Sequence, residues 1–202
     1  MILIMKKKIK KKQFKFDPSL MKASVYGAND GIITTFAVMA GVVGAQLSPN
    51  VVIILGFANL FADGLSMGLG DYLGEKSERQ LRERHAPTEH PCILAQNGGI
   101  ACEANVQGPV WATGLVTFIS FIVAGLAPIL PFILNAMFNL GINQSLISLI
   151  TTGVTLFIVG AARTTFIGGN IWKNGLEMFA VGMLAALVAY GLGYGAHQIV
   201  GV

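Results

Sequence analysis

The sequence contains few charged residues, and long stretches of it contain none. Asp, Glu, Lys and Arg make up 12% of the 202 residues, whereas 53% are hydrophobic. A soluble domain carries about 25% charged residues. Charged side chains are missing from residues 31–62, from residues 104–162 and from the chain beyond Met178. A membrane-spanning helix needs about 20 apolar residues. These stretches therefore exclude a soluble globular protein and predict an integral membrane protein.

The sequence also lacks the motifs of an enzyme or of a nucleotide-driven pump. It has no nucleotide-binding glycine loop, no HExxH motif and no credible Ser/His/Asp set. Any pumping must then use an ion gradient. The two cysteines lie in a loop expected to face the cytoplasm, which argues against a structural disulfide. We therefore predict a protein that is not an enzyme and binds no permanent cofactor.

The charge-free stretches divide into five predicted spans, with turn-forming residues at 47–50 and 139–143 between neighbours. The predicted fold is an all-α integral membrane protein, with a basic tail at 1–22 and a five-helix membrane domain at 23–202. A short loop at about 75–108 joins the second and third spans, and Glu75 and Arg79 at its start are spaced for a helical ion pair. The third span is expected to end around Pro128 and Pro131. The predicted spans are 26–46, 51–72, 110–130, 146–162 and 175–200.

The fourteen basic residues predict the orientation of the chain. Eight precede the first span, four lie between the second and third spans, and two lie between the fourth and fifth. With five spans, all three segments fall on one side of the membrane. Lys and Arg are retained on the cytoplasmic side, so we predict a cytoplasmic N-terminus and a C-terminus on the opposite side. The lysine cluster at 6–12 is interpreted as an orientation and anionic-lipid signal and not as a nucleic-acid site.

Acidic residues inside the predicted spans are the most informative polar residues. Asp30 lies about one turn into the first span, Asp63 lies near the middle of the second, and Asp71 follows two turns later. A carboxylate at the bilayer centre costs at least about 2.5–3.5 kcal/mol, and no Lys or Arg is available there. The partner must be a proton, a hydrogen-bond donor or a cation. In the structural alternative these acids are protonated or cap a helix, and Asp30 caps a half-helix that begins near residues 27–31.

Residues four apart on the second span form a stripe along one face: Asn59, Asp63, Met67, Asp71 and Glu75. Met67 therefore lies between two carboxylates. A thioether beside carboxylates suits a borderline ion such as ferrous iron or manganese better than magnesium or calcium. Ordinary apolar packing is the alternative for Met67, and interfacial water is the alternative for Asp71 and Glu75. The predicted metal ligands are Asp30, Asp63, Met67 and Asp71.

Small residues accompany this stripe. Glycines occur four apart at Gly27 and Gly31, at Gly64 and Gly68, and at Gly70 and Gly74; others lie in the fifth span at Gly182, Gly191, Gly193 and Gly195. Such spacing permits close approach of helix backbones in lipid. We therefore expect several helices to pack closely around the acidic stripe.

Two segments resemble the signatures of the vacuolar iron transporter family. Residues 26–38, YGANDGIITTFAV, resemble its first span, and residues 56–73, GFANLFADGLSMGLGDYL, resemble its second. Residues 175–178 and the glycine-rich fifth span are similar to the end of that domain. The resemblance implies a homodimer of five-span protomers in which metal passes along the dimer axis. It also implies export of cytosolic ferrous iron, sometimes manganese, in exchange for protons, with Asp30 and Met67 in the pathway.

The sequence departs from the well-studied members of this family in the connection at 75–108. That connection is too short for the cytosolic insert, rich in Glu and Met, that those members carry. It contains His85, His90, Cys92 and Cys102, and His90, Cys92 and Cys102 could form a small metal site. Their spacing matches no standard zinc pattern, which favours a loop with free thiols. The missing insert favours a bacterial plasma membrane over a vacuolar membrane.

A second hypothesis assigns the chain to a different class of protein. In this hypothesis the chain is a non-transporting membrane scaffold or regulatory subunit, and its intramembrane acids hold helices together. The expected partners of the leading hypothesis are a divalent metal ion, protons, the lipid bilayer and a second copy of the chain, with no nucleic acid. Loss of transport, as opposed to loss of assembly, on substitution of Asp30 or Met67 separates the two.

Overall fold

A computed structural model of the chain consists almost entirely of helices. It describes residues 18–85, 93–94, 100–101, 108–139, 141, 143–167 and 169–201. Two short strands, β1 (Ile93–Leu94) and β2 (Ile100–Ala101), pair antiparallel between the second and third helices. The helices are α1 (Pro18–Gly44), α2 (Pro49–His85), α3 (Val110–Phe138), α4 (Gln144–Ile167) and α5 (Ile171–Val200).

All five helices are long and apolar enough to cross a membrane. Their outer surfaces carry large exposed hydrophobic side chains such as Val123 and Leu192, which are 67% and 71% exposed. Such a surface is compatible with lipid and not with water. The predicted all-α fold with five spans is confirmed. The basic tail up to residue 17 and the loop residues His90, Cys92 and Cys102 lie outside the described residues, and His85 is the last residue of α2.

One alternative and one prediction about helix ends are wrong. Helix α1 runs without a break through residues 27–31, so Asp30 does not cap a half-helix. Helix α3 continues past Pro128 and Pro131 to Phe138. In α4, the buried Ser148 donates a hydrogen bond from Oγ to the carbonyl oxygen of Pro128 at 2.5 Å. This bond holds α4 against the proline stretch of α3. Prolines inside a helix are tolerated more readily in membrane bundles than in water.

The turn predicted at 139–143 is confirmed, and asparagines form its boundaries. Asn139 ends α3 in the left-handed conformation, with φ of 50°, and its amide donates to the carbonyl oxygen of Asn135. Before α4, Asn143 Oδ1 accepts from the backbone N–H of Leu146 at 3.2 Å. Asparagine adopts the left-handed region more readily than most residues and is a good helix cap.

The helices pack unequally against one another. Helix α1 contacts each of the other four, and α3 contacts α1, α2 and α4. Among the described residues, α2 packs on α1 and α3 alone. Helix α2 therefore lies at the edge of the bundle, and much of its circumference is exposed in a single chain.

Glycines allow the closest helix crossings. A Cβ added at Gly31 would meet the backbone of Phe121, and one added at Gly27 would meet the backbone of Thr117, so α1 and α3 touch through their backbones. Gly68 and Gly114 do the same for α2 and α3. By contrast, the described part of the chain leaves open space beside four glycines that were expected to pack: Gly70, Gly74, Gly191 and Gly195.

One end of the bundle, here called the basic end, carries the described basic side chains. The α4–α5 connection lies at this end, as does the junction of α2 with α3. At that junction Arg79 Nε donates to Glu75 Oε1 at 2.9 Å, which confirms the predicted pair, and Arg79 Nη2 donates to the carbonyl oxygen of Gly108 at 2.7 Å. This arginine joins the end of α2 to the residues that precede α3.

Candidate functional site

Two of the predicted metal ligands come from different helices and lie near each other. Asp63, in the middle of α2, is exposed on the surface of the single chain, while Asp30 on α1 is half-buried. The Asp63 carboxylate is close enough to Asp30 for the two to interact electrostatically. Two ionised carboxylates in such proximity repel each other, and a cation or a proton between them relieves the repulsion. Asp30 on α1 and Asp63 on α2, which interact electrostatically, are here called the acidic pair.

Met67 lies one turn from Asp63 toward the basic end. It is half-buried and packs against a cluster formed by Leu60, Phe121 and Ile129. The apolar packing considered for this methionine is thus present in the single chain. Because Met67 follows Asp63 by one helical turn, its thioether lies on the same part of α2 as the Asp63 carboxylate.

Asp71 has a partner on another helix. Its Oδ2 accepts a hydrogen bond from Oγ1 of Thr117 on α3. Thr117 is fully buried, and Asp71 is half-buried. Sequence reasoning did not identify Thr117, because an uncharged residue 46 positions away gives no signal that it faces Asp71. This acid is held in a helix–helix contact and does not join the acidic pair.

Two asparagines beside the acidic pair have unsatisfied polar atoms. Asn29 precedes Asp30 on α1, and Asn59 lies one turn before Asp63 on α2. In the described part of the chain, Asn29 Oδ1 and Asn59 Nδ2 are buried and have no hydrogen-bond partner. Rotation of the Asn59 side-chain amide by half a turn would place its oxygen where Nδ2 now lies. Buried amide groups normally find partners, and amide oxygens are ligands for hard or borderline cations.

The four predicted ligands do not form one cage within a single chain. Over the residues that the structure describes, no three His, Cys, Asp or Glu side chains are grouped so that they could hold a metal ion. Asp30 and Asp63 come together, Asp71 is bonded to Thr117, and Met67 packs in an apolar cluster.

The fold and the placement of these residues define a class of protein. The chain is a multi-pass membrane protein of five helices, with two interacting acids on its first two helices. Within the described residues, an amide atom of Asn29 and one of Asn59 lack a hydrogen-bond partner. Comparison with known proteins identifies the family. The model of the VIT family matches residues 21–103 and 92–194, which together include nearly all of the five helices. The chain belongs to the VIT family.

Curated relatives align along most of the chain. A Vacuolar iron transporter of Toxoplasma gondii is 31% identical, over 90% of this chain and 76% of the relative. A Vacuolar iron transporter of Plasmodium falciparum is 26% identical, over 88% of this chain and 82% of the relative. Vacuolar iron transporter 1 of Oryza sativa is also 26% identical, over 83% of this chain and 82% of the relative.

The comparisons bear on the connection between α2 and α3 and on the expected membrane. The two segments matched by the family model overlap at residues 92–103, within the connection between α2 and α3. The preference for a bacterial plasma membrane finds no support, because these relatives are eukaryotic proteins whose names place them at the vacuole.

Proposed function

We propose that this chain exports ferrous iron from the cytosol, with manganese as a second substrate ion, in exchange for protons and through a pathway between two copies of the chain. The names of its relatives support iron as the substrate. The acidic pair of Asp30 and Asp63, with no basic residue in the same stretches of sequence, supports a cation as the missing partner. In the proposed orientation the basic end faces the cytosol.

The observation that carries the proposal is the exposure of Asp63 on the outside of the single chain. A carboxylate that faced lipid at this depth would cost at least about 2.5–3.5 kcal/mol. Helix α2 lies at the edge of the bundle, so a second copy can cover the face that carries Asp63. A two-fold axis sets the same surface of each copy against the other. Two acidic pairs would then line one pathway.

The chemistry of the surrounding groups suits the proposed ions. Carboxylate oxygens from Asp30 and Asp63 and the amide oxygen of Asn29 are hard ligands, and the thioether of Met67 is a soft one. Ferrous iron and manganese accept such a mixed set, whereas magnesium demands oxygen ligands and gives up its water reluctantly. Because a carboxylate binds either a proton or a metal ion, the same acids can couple the two fluxes in opposite directions.

Asp71 has a different role in this proposal. Its hydrogen bond from Thr117 supports the structural hypothesis for this one acid, since the bond joins α2 to α3. We therefore propose Asp30, Asp63 and Met67 as the main metal ligands. Asp71 becomes a ligand only when its carboxylate exchanges the hydrogen bond from Thr117 for a bond to the metal.

Flux measurements test the proposed function. Protein in liposomes with an internal pH dye and a metal-sensitive dye should move ferrous iron inward and protons outward, and should leave magnesium outside. D30N and D63N should lose both fluxes, since asparagine keeps the size of the side chain and removes its charge. E83Q is the matched control, because Glu83 is an exposed acid near the end of α2, beyond the predicted second span. Unchanged transport in both variants would exclude the acidic pair as the site. A wild-type protein that moves no metal would favour the scaffold hypothesis.

A further inference from the structure

A groove between α2 and α3 opens on the outer surface near the basic end. Its volume is about 380 Å³, and every residue that lines it is apolar or aromatic. Leu65 and Leu69 of α2 form one wall, and Trp111 and Leu115 of α3 form the other. These four side chains are about half exposed, with Trp111 at 59%. The groove is therefore an apolar slot that opens toward the bilayer.

The glycine crossing of α2 and α3 creates this slot. Gly68 and Gly114 line the floor of the groove, and their backbones lie so close that a Cβ on either residue would meet the carbonyl oxygen of the other. Because the two glycines have no side chains, the leucines and the tryptophan on either side of the crossing are separated, and the slot lies between them. The width of the slot thus depends on two residues that fix the distance between the helices.

A basic side chain lies at the end of the slot where lipid headgroups are expected. Tyr72 lines the groove, and the ammonium group of Lys76, one turn further along α2, lies 5.9 Å from the centre of the Tyr72 ring. Lys76 is exposed, whereas Arg79 on the next turn is held by Glu75 and by the carbonyl oxygen of Gly108. Tyr and Trp are enriched at the depth where headgroups meet acyl chains, and Lys extends from there to phosphate.

We propose that this groove binds an anionic phospholipid, with one acyl chain in the slot and the headgroup phosphate paired with Lys76. The apolar lining fits an acyl chain, and the positive charge at the mouth fits a headgroup that carries a net negative charge. Leu65 points about 200° around the helix from Asp63, because two residues turn an α-helix by that angle. The interface proposed around Asp63 therefore leaves this groove open to lipid.

Quenching of Trp111 fluorescence tests the proposal. The chain has two tryptophans, and the second, Trp172, contacts Phe157 with ring centroids 5.4 Å apart. In the W172F variant, Trp111 is the only tryptophan, and excitation at the red edge of its absorption avoids the tyrosines. This variant is reconstituted in phosphatidylcholine vesicles that contain an increasing fraction of one brominated lipid. The brominated lipid is either phosphatidylglycerol or phosphatidylcholine. Brominated phosphatidylglycerol should reach half-maximal quenching at about a fivefold lower fraction, as expected for one Lys–phosphate contact.

The matched variants distinguish a bound lipid from general attraction of anionic lipid to a basic protein. K76Q in the W172F background should abolish the preference for phosphatidylglycerol. K173Q should keep it, because Lys173 is an exposed basic residue at the start of α5, away from the groove. Equal quenching by the two lipids in W172F, or a preference that survives K76Q, would overturn the proposal. Absence of quenching by either lipid would also overturn it, since protein would then cover the groove.

Discussion

Thr117 of α3 donates a hydrogen bond to the carboxylate of Asp71 on α2, while its backbone lies against Gly27 on α1. One buried residue thus joins α1, α2 and α3. The bond explains how an acid is accommodated inside the bundle without a basic partner. It also adds a polar contact to the packing of α2 on α3.

Removal of the Thr117 hydroxyl should destabilise the protein. In T117V the shape of the side chain is kept, but Asp71 loses its donor, and hydrogen bonds between membrane helices contribute about 0.6 kcal/mol on average and up to about 1.7. We expect a lower melting temperature in detergent, measured by loss of the monodisperse peak after heating. T113V is the control, because Thr113 Oγ1 donates to the carbonyl oxygen of Val110 in its own helix. An equal loss in both variants would contradict a special role for the bond to Asp71.

The backbone contact between α1 and α3 predicts a larger effect at Gly31. A Cβ in G31A would overlap the backbone of Phe121, so the helices must separate. Overpacking of this kind costs about 1–3 kcal/mol. G191A should instead stabilise α5 slightly, because open space lies beside Gly191 within the described chain and alanine favours a helix by up to about 1 kcal/mol. Thermal stability of the two variants in the same detergent gives the comparison, and a tolerated G31A would show that the crossing is looser than described.

The sequence predicted the spans well, because lack of charge over about 20 residues leaves few alternatives to a membrane helix. It could not predict which side of α2 packs on α3, since α2 is apolar around most of its circumference in the membrane. Gly64 and Gly68 meet α3 while Gly70 and Gly74 do not, although both pairs have the same spacing. The continuation of α3 through its prolines was also out of reach, because proline ends most helices in water but is tolerated inside membrane helices that pack against neighbours.

The thioether of Met67 should matter for transport more than for stability. M67L keeps the volume and the packing against Leu60 and Phe121, and such exchanges cost less than about 1.5 kcal/mol. If sulfur is a ligand, the rate of ferrous iron uptake into liposomes should fall while the melting temperature changes little. M183L, in the apolar core between α1 and α5, is the control and should transport as the parent does. Equal rates in the two variants would restrict Met67 to packing.

Cross-linking should detect the proposed interface around Asp63. Ser66 is an exposed residue on α2, and its Cβ lies about 60° around the helix from that of Asp63, because three residues turn a helix by about 300°. In a C92S/C102S background, S66C should form a disulfide-linked dimer on mild oxidation in membranes, since a two-fold axis near Asp63 brings the two copies of residue 66 together. A180C is the matched control: Ala180 is exposed on α5, which is expected to face lipid. Dimer formation by A180C and not by S66C would place the contact between copies on α5 and leave Asp63 without the proposed cover.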